Sequence, residues 1–171
     1  VPLKTTKCLT LLNKYFENVK IHIIDYNLFN KNIKLKVEDP YSVGADRLCN
    51  IKCAITLYKT PSIIIDFGTA ITYDVINNKS EFVGGVISPG IETSAEYLIK
   101  KAALLSKADL KFPKKAIGVN TTENIQSGIM FGAIDQVYGM IKRIERETNT
   151  NNYKIIITGG FSKIFASQFN K

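Results

Sequence analysis

Within the tetrapeptide Asp66-Phe67-Gly68-Thr69 stand a carboxylate, a glycine and a hydroxyl, directly after the apolar run Ser62-Ile63-Ile64-Ile65. A glycine lets backbone approach a phosphate closely. The N–H groups and the Thr69 hydroxyl can donate to phosphate oxygens, and the carboxylate can hold a cation. The same tetrapeptide also makes a good hairpin turn. A second candidate is Gly44-Ala45-Asp46-Arg47, where a carboxylate that can accept a proton adjoins a guanidinium that can clamp an anion. An aspartate in a first helical turn is also favoured by the helix dipole alone. Three further stretches are glycine-rich or cap-like. Gly84-Gly85-Val86-Ile87-Ser88-Pro89-Gly90 leads from a strand to a helix, and Asn120-Thr121-Thr122-Glu123 has the pattern of a helix start. Ile155-Ile156-Ile157-Thr158-Gly159-Gly160 is a buried strand running into a diglycine, a turn against which a ribose or a flat ring can lie.

The elements that must position these residues alternate between strand and helix. Leu9, Leu12 and Tyr15-Phe16 predict a helix over Thr6–Phe16. Val19–Ile24 and Ile33–Val37 read as strands, the latter by strict alternation, and Asp39-Pro40 breaks the chain. Leu48, Ile51 and Ile55 mark a helix over Gly44–Leu57. Strands follow over Ser62–Ile65, Ile71–Ile76 and Phe82–Ile87, then an amphipathic helix over Glu92–Leu105 and a basic loop over Lys107–Lys115. A long helix over Thr121–Glu147, a strand over Lys154–Thr158 and a closing helix over Phe161–Phe169 complete the pattern. The long helix carries Ile129, Met130, Phe131, Ile134, Val137 and Met140 on more than one face, which suits either dimerisation or burial in its own core. Together these predict an α/β layered fold with sheet-edge turns facing a cleft.

Composition narrows the class. The chain has 171 residues, 45% of them hydrophobic, which fits one domain or two small ones with a real core. No apolar run reaches the roughly 18 residues of a membrane span, and the opening Val1-Pro2-Leu3-Lys4 does not read as a signal peptide. Cys8, Cys49 and Cys53 form no disulfide framework, and with His22 the only histidine no metal cluster is completed; the thiols are expected to be reduced, small hydrophobes of a cytoplasmic protein. The net charge of +8 suits anionic ligands, but the lysines and arginines are scattered, so nucleic acid is not expected as a partner.

The ordered set resembles the type III pantothenate kinases of the acetate-kinase, sugar-kinase, Hsc70 and actin superfamily. It comprises Pro40-Tyr41-Ser42-Val43-Gly44-Ala45-Asp46-Arg47, Asp66-Phe67-Gly68-Thr69-Ala70, Gly84 to Gly90, Ile117-Gly118-Val119-Asn120-Thr121, Gln126-Ser127-Gly128 and Thr158-Gly159-Gly160. The resemblance implies a ribonuclease-H-like (actin-like ATPase), two-lobed fold, with residues 1–60 in the remainder of an N-terminal lobe and 61–171 in a C-terminal lobe. It implies ATP-dependent phosphorylation of pantothenate to 4'-phosphopantothenate, the first step towards coenzyme A, with Mg2+ and a monovalent cation, potassium or ammonium. Asp46 would be the general base. Gly44, Ala45 and Arg47 would line the pantothenate pocket, Thr121 would touch pantothenate, and Asp66 would bind the monovalent cation. Gly68 and Thr69 would contact the ATP phosphates, and Gly159 and Gly160 would border the adenosine. A cytoplasmic homodimer with its pocket near the subunit interface is implied as well.

Two departures stand out. Position 37, aromatic in many family members, is Val37 here. The Asp-x-Gly-Asn-Thr turn with which the family begins has no counterpart, so the N-terminal phosphate-binding hairpin is expected to be missing and the segment to lack kinase activity by itself. The rival readings are a non-enzymatic transcriptional accessory factor of the same family and a superfamily kinase with another acceptor.

Overall fold

A computed structural model describes residues 2–16, 18–101 and 109–169. Its elements are α1 (Pro2–Tyr15), α2 (Tyr26–Phe29), β1 (Lys34–Leu35), α3 (Ala45–Leu57), β2 (Ser62–Phe67), β3 (Ala70–Ile76), β4 (Glu81–Pro89), α4 (Ile91–Lys101), α5 (Thr121–Thr148), β5 (Lys154–Thr158) and α6 (Ser162–Phe169). The strands form one sheet in the order β1-β4-β3-β2-β5. Strands β2, β3 and β4 are an antiparallel meander, while β1 runs parallel to β4 and β5 parallel to β2.

The isoleucine-rich β2 and β3 bury both faces, which is why they read as continuous apolar runs rather than alternations. One face, with Ile63, Ile65, Phe67, Ile71, Tyr73 and Val75, packs against Met130, Ile134, Val137 and Ile144 of α5 and Phe165 of α6. The other, with Ile64, Ile76 and Phe82, packs against Leu48, Ile51 and Ala54 of α3. Strand parity sends Asp66, Thr72 and Asp74 to the α3 face, because Ile64 pairs with Asp74 and Asp66 with Thr72.

Helix α5 starts on a reciprocal cap: Glu123 N–H donates to Asn120 Oδ1 at 2.9 Å, and Val119 N–H donates to Glu123 Oε2 at 3.0 Å. It stops at Asn149, whose φ of 51° places it in the left-handed region. Its apolar surplus is taken up internally, since Ile129, Met140 and Ile141 pack on the core shared with α6 and Phe131 lies 5.5 Å from the Phe112 ring. The helix therefore gives no reason of its own to expect a second copy.

Two expectations are corrected. Residues 19–24 form no strand, and Val19 and Ile23 are exposed; β1 is only two residues long and offers little ladder to extend. The cysteines are free and exposed; α3 turns Leu48, Ile51 and Ala54 inward and leaves Cys49 and Cys53 outside. Strand β1 spans Lys34–Leu35 instead of Ile33–Val37. The expected end of α4 at Leu105 and the start of the basic loop at Lys107 lie outside the described residues. Among the described residues no helix is long and apolar enough to cross a membrane.

Candidate active site

One corner of the sheet collects most of the chemistry. The C-terminal ends of the parallel strands β2 and β5 lie side by side there, with Asp66 paired to Thr158. The β2–β3 turn (Gly68, Thr69) and the β5–α6 turn (Gly159, Gly160) therefore meet. Gly159 has φ +93°, and a Cβ on it would fall 2.5 Å from Asp66 Oδ1, so both conformation and space require glycine at that point. The β2–β3 turn is held from behind: Gly90 N–H and the Thr93 hydroxyl both donate to the Thr69 carbonyl, at 3.0 and 2.8 Å. The Thr69 hydroxyl is exposed and makes no hydrogen bond among the described residues. It is available to a ligand.

Helix α3 brings its first turn to the same corner. Asn50 donates to Asp66 Oδ2 at 2.9 Å, which ties the helix to the end of β2. One turn earlier, Asp46 is exposed, and its Oδ1 accepts the Arg47 N–H at 2.9 Å. Arg47 itself turns inward. Its Nε lies 2.8 Å and its Nη2 2.5 Å from Oδ1 of Asp74, a residue of β3 with no exposed surface. Burial pushes the Asp74 carboxyl up to about 6, against the pull of Arg47; Asp46 and Asp66 push it the same way as burial. The corner thus sets three carboxylates against one guanidinium. Such a site attracts a cation, and it admits phosphates only with charge compensation.

Beside this corner lies a cavity of about 350 Å³ whose lining includes Val37, Val43, Arg47, Phe82, Gly85 and Ile87. The guanidinium sits 5.6 Å from the centre of the Phe82 ring. Gly85 pairs with Asp74 across β3–β4, and a side chain there would strike Arg47 Nη2. A larger cavity of about 510 Å³, lined by Lys111 to Lys115, Glu123 and Gln126, contains none of Asp46, Arg47 and Asp66.

Of the residues singled out in the sequence, Gly44, Ala45, Asp46, Arg47, Asp66, Gly68, Thr69, Gly159 and Gly160 lie around this corner. Thr121 does not join them by any contact. It opens α5, which packs on the sheet face opposite α3, and it makes no hydrogen bond to α3 or β2 among the described residues. Asp74 and Asn50 were missed. The signals were an acid in mid-strand between Tyr73 and Val75, and an amide one helical turn after Asp46. Among the described residues no three His, Cys, Asp or Glu are grouped to hold a metal ion.

Comparison with known proteins identifies the family. The sequence profile of the type III pantothenate kinases matches residues 1–143. A type III pantothenate kinase of Halalkalibacterium halodurans is 42% identical over 136 residues, covering 80% of this chain and 53% of that protein. The chain thus spans about half the length of this curated relative. A conserved Campylobacter jejuni protein assigned to the Baf family of transcriptional activators has a crystal structure that superposes with a TM-score of 0.59 at 23% identity, over 93% of this chain and 68% of that one. That likeness speaks for the fold alone. The mixed sheet with helices on both faces is the arrangement expected of the actin-like ATPases, and the chain belongs to the type III pantothenate kinase family.

Proposed function

We propose that this chain supplies the acceptor side and part of the ATP side of a kinase that transfers the γ-phosphoryl group of ATP to the primary hydroxyl of pantothenate, towards coenzyme A. The supporting observation is the meeting of two local groups, Asp46-Arg47 on α3 and Asp66 to Thr69 at the end of β2, which the Asn50–Asp66 hydrogen bond joins beside a cavity that Arg47 lines. Family membership supports the choice of pantothenate and ATP.

Asp46 accepts the proton of the attacking hydroxyl as the new O–P bond forms and the bond from the γ-phosphorus to the bridging oxygen breaks, releasing ADP. Exposed on the first turn of α3, it can meet a hydroxyl held in the cavity. Gly44, Ala45 and Arg47 line the acceptor, with Arg47 toward its carboxylate. Gly68 and Thr69 donate to the ATP phosphates, and Gly159 and Gly160 border the adenosine. Phosphoryl transfer asks mainly for this kind of positioning and charge neutralisation.

The donor set fits a monovalent cation at Asp66. Its Oδ2 is engaged by Asn50, whereas Oδ1 faces the cradle that a Cβ on Gly159 would fill. A bound potassium or ammonium ion would supply positive charge next to the phosphates. Mg2+ would arrive on ATP. Thr121, at the start of the helix behind the sheet, would touch the acceptor in a homodimer whose pocket lies near the subunit interface. A soluble, cytoplasmic setting suits the substrates.

The test is mass-spectrometric detection of 4'-phosphopantothenate formed by the intact protein from pantothenate and MgATP, alongside a panel of other hydroxyl acceptors. Phosphorylation of a different acceptor in preference to pantothenate would refute the reading.

A further inference from the structure

Asp74 is a charged residue held in the core. It occupies the middle of β3 with no exposed surface, and Oδ1 alone receives both Arg47 contacts. Its Oδ2 is buried without a partner among the described residues. For stability alone an apolar residue would serve better, since a buried ion pair seldom recovers the desolvation of its charges. The surroundings are shaped to keep the pair. Gly85 leaves the space that Nη2 fills, Phe82 presents its ring at 5.6 Å, and the backbone N–H of Arg47 is fixed by Asp46.

We propose that Asp74 is a positioning residue: it holds the Arg47 guanidinium against Gly85 and Phe82 at the cavity wall, leaving the remaining N–H groups to receive the anionic end of the acceptor. The part concerning the acceptor rests on the function proposed above; the part concerning Arg47 does not. Because Oδ1 already balances the guanidinium charge, Arg47 recognises its ligand through directed hydrogen bonds rather than as a bare cation. Its neighbour Asp46 is thereby spared a competing ion pair with Arg47 and keeps a carboxylate free for the proton.

The experiment compares Asp74→Asn, Asp74→Ala, Arg47→Ala and the Arg47→Ala/Asp74→Ala double variant, by steady-state kinetics of the intact protein and by the Arg47 Nε–H signal in its ligand-free NMR spectra. Expected for both Asp74 variants is loss of the shifted, slowly exchanging Nε–H signal. The KM for the acceptor should rise about ten- to a hundredfold, the range for loss of a hydrogen bond to a charged group, while the KM for ATP changes less than about twofold on the same reasoning. In the Arg47→Ala background the second substitution should add nothing to the acceptor KM, which a purely structural role would not produce. Should Asp74→Ala not fold, the near-isosteric Asn variant carries the same readouts. An unchanged Nε–H signal in Asp74→Asn overturns the positioning role. A normal acceptor KM in Arg47→Ala, with the signal lost in Asp74→Asn, overturns the acceptor assignment and leaves the positioning of Arg47 standing.

Discussion

Gly85→Ala is the smallest perturbation that strikes the centre of the site. The added Cβ would lie 2.6 Å from Arg47 Nη2 and nearer still to the Tyr73 carbonyl oxygen, where ordinary contact begins at 3.4 Å. Tyr73 is fully buried in β3, so relief must come from parting β3 and β4 by more than an ångström or from expelling the guanidinium. Overpacking of this kind costs about 1–3 kcal/mol. Expelling Arg47 leaves a buried carboxylate unpaired, worth about 3–5 kcal/mol. A loss of at least about 1 kcal/mol is expected, rising to about 3–5 kcal/mol where the guanidinium is expelled, at roughly 2–4 °C of Tm per kcal/mol for a chain of this size. Gly139→Ala is the matched control: on α5 nothing lies within 4 Å of its Cβ, and the variant should gain about 0.5–1 kcal/mol from helix propensity. Urea unfolding of the three proteins checks both signs. A Gly85→Ala protein within about 0.5 kcal/mol of wild type, the scatter of an ordinary surface change, would refute the packing argument.

Three further outcomes are expected. Asp46→Asn in the intact protein should lower turnover by about 10²–10⁴-fold, as for loss of a general base, with ATP affinity retained; a coupled assay and nucleotide titration check this, and near-normal turnover would exclude Asp46 as the base. Turnover should be faster in potassium than in sodium buffer, and Asp66→Ala should abolish the difference; equal wild-type rates in the two buffers would remove the cation from the site. Finally, the folded-state value of about 6 for Asp74 lies above its ordinary 3.8, so this group destabilises the fold above pH 6 and ceases to do so as pH falls through 6 towards 4. Two pKa units correspond to about 3 kcal/mol. Urea stability of the wild type should therefore rise relative to Asp74→Asn between pH 7 and 4, and parallel curves would contradict the assignment. Glu81, held by Lys34 and Asn77 at about 2, acts oppositely, its contribution being lost as pH falls through 2.

How far the sequence revealed the molecule depends on what each residue answers to. Helices α3 and α5 were legible because local periodicity and the Asn120–Glu123 cap decide them. Strands β2 and β3 were legible because runs such as Ile63-Ile64-Ile65 must be buried on both faces. The stretch Val19–Ile24 was misread since strand pairing needs a neighbour, and no local pattern reports whether one exists. At the site, Asp46, Asp66 and the glycine turns could be picked out by type and spacing. The partner of Arg47 could not: the pair Arg47–Asp74 joins residues 27 apart and exists only through strand register and helix packing. Nor could the two reasons for Gly84-Gly85 be separated. Gly84 has φ +130° beside the bulge at Val75/Ile76, whereas Gly85 is needed for space.

The most direct measurement is titration of pantothenate into the isotopically labelled chain, followed by NMR, since it asks where the acceptor binds without requiring turnover. Saturable shifts are expected at Gly44, Ala45, Arg47 and Gly85, and they should vanish in Arg47→Ala. Saturable shifts confined instead to the cavity walled by Lys111 to Lys115, or none at millimolar pantothenate, would contradict the acceptor site at the Asp46–Arg47 corner.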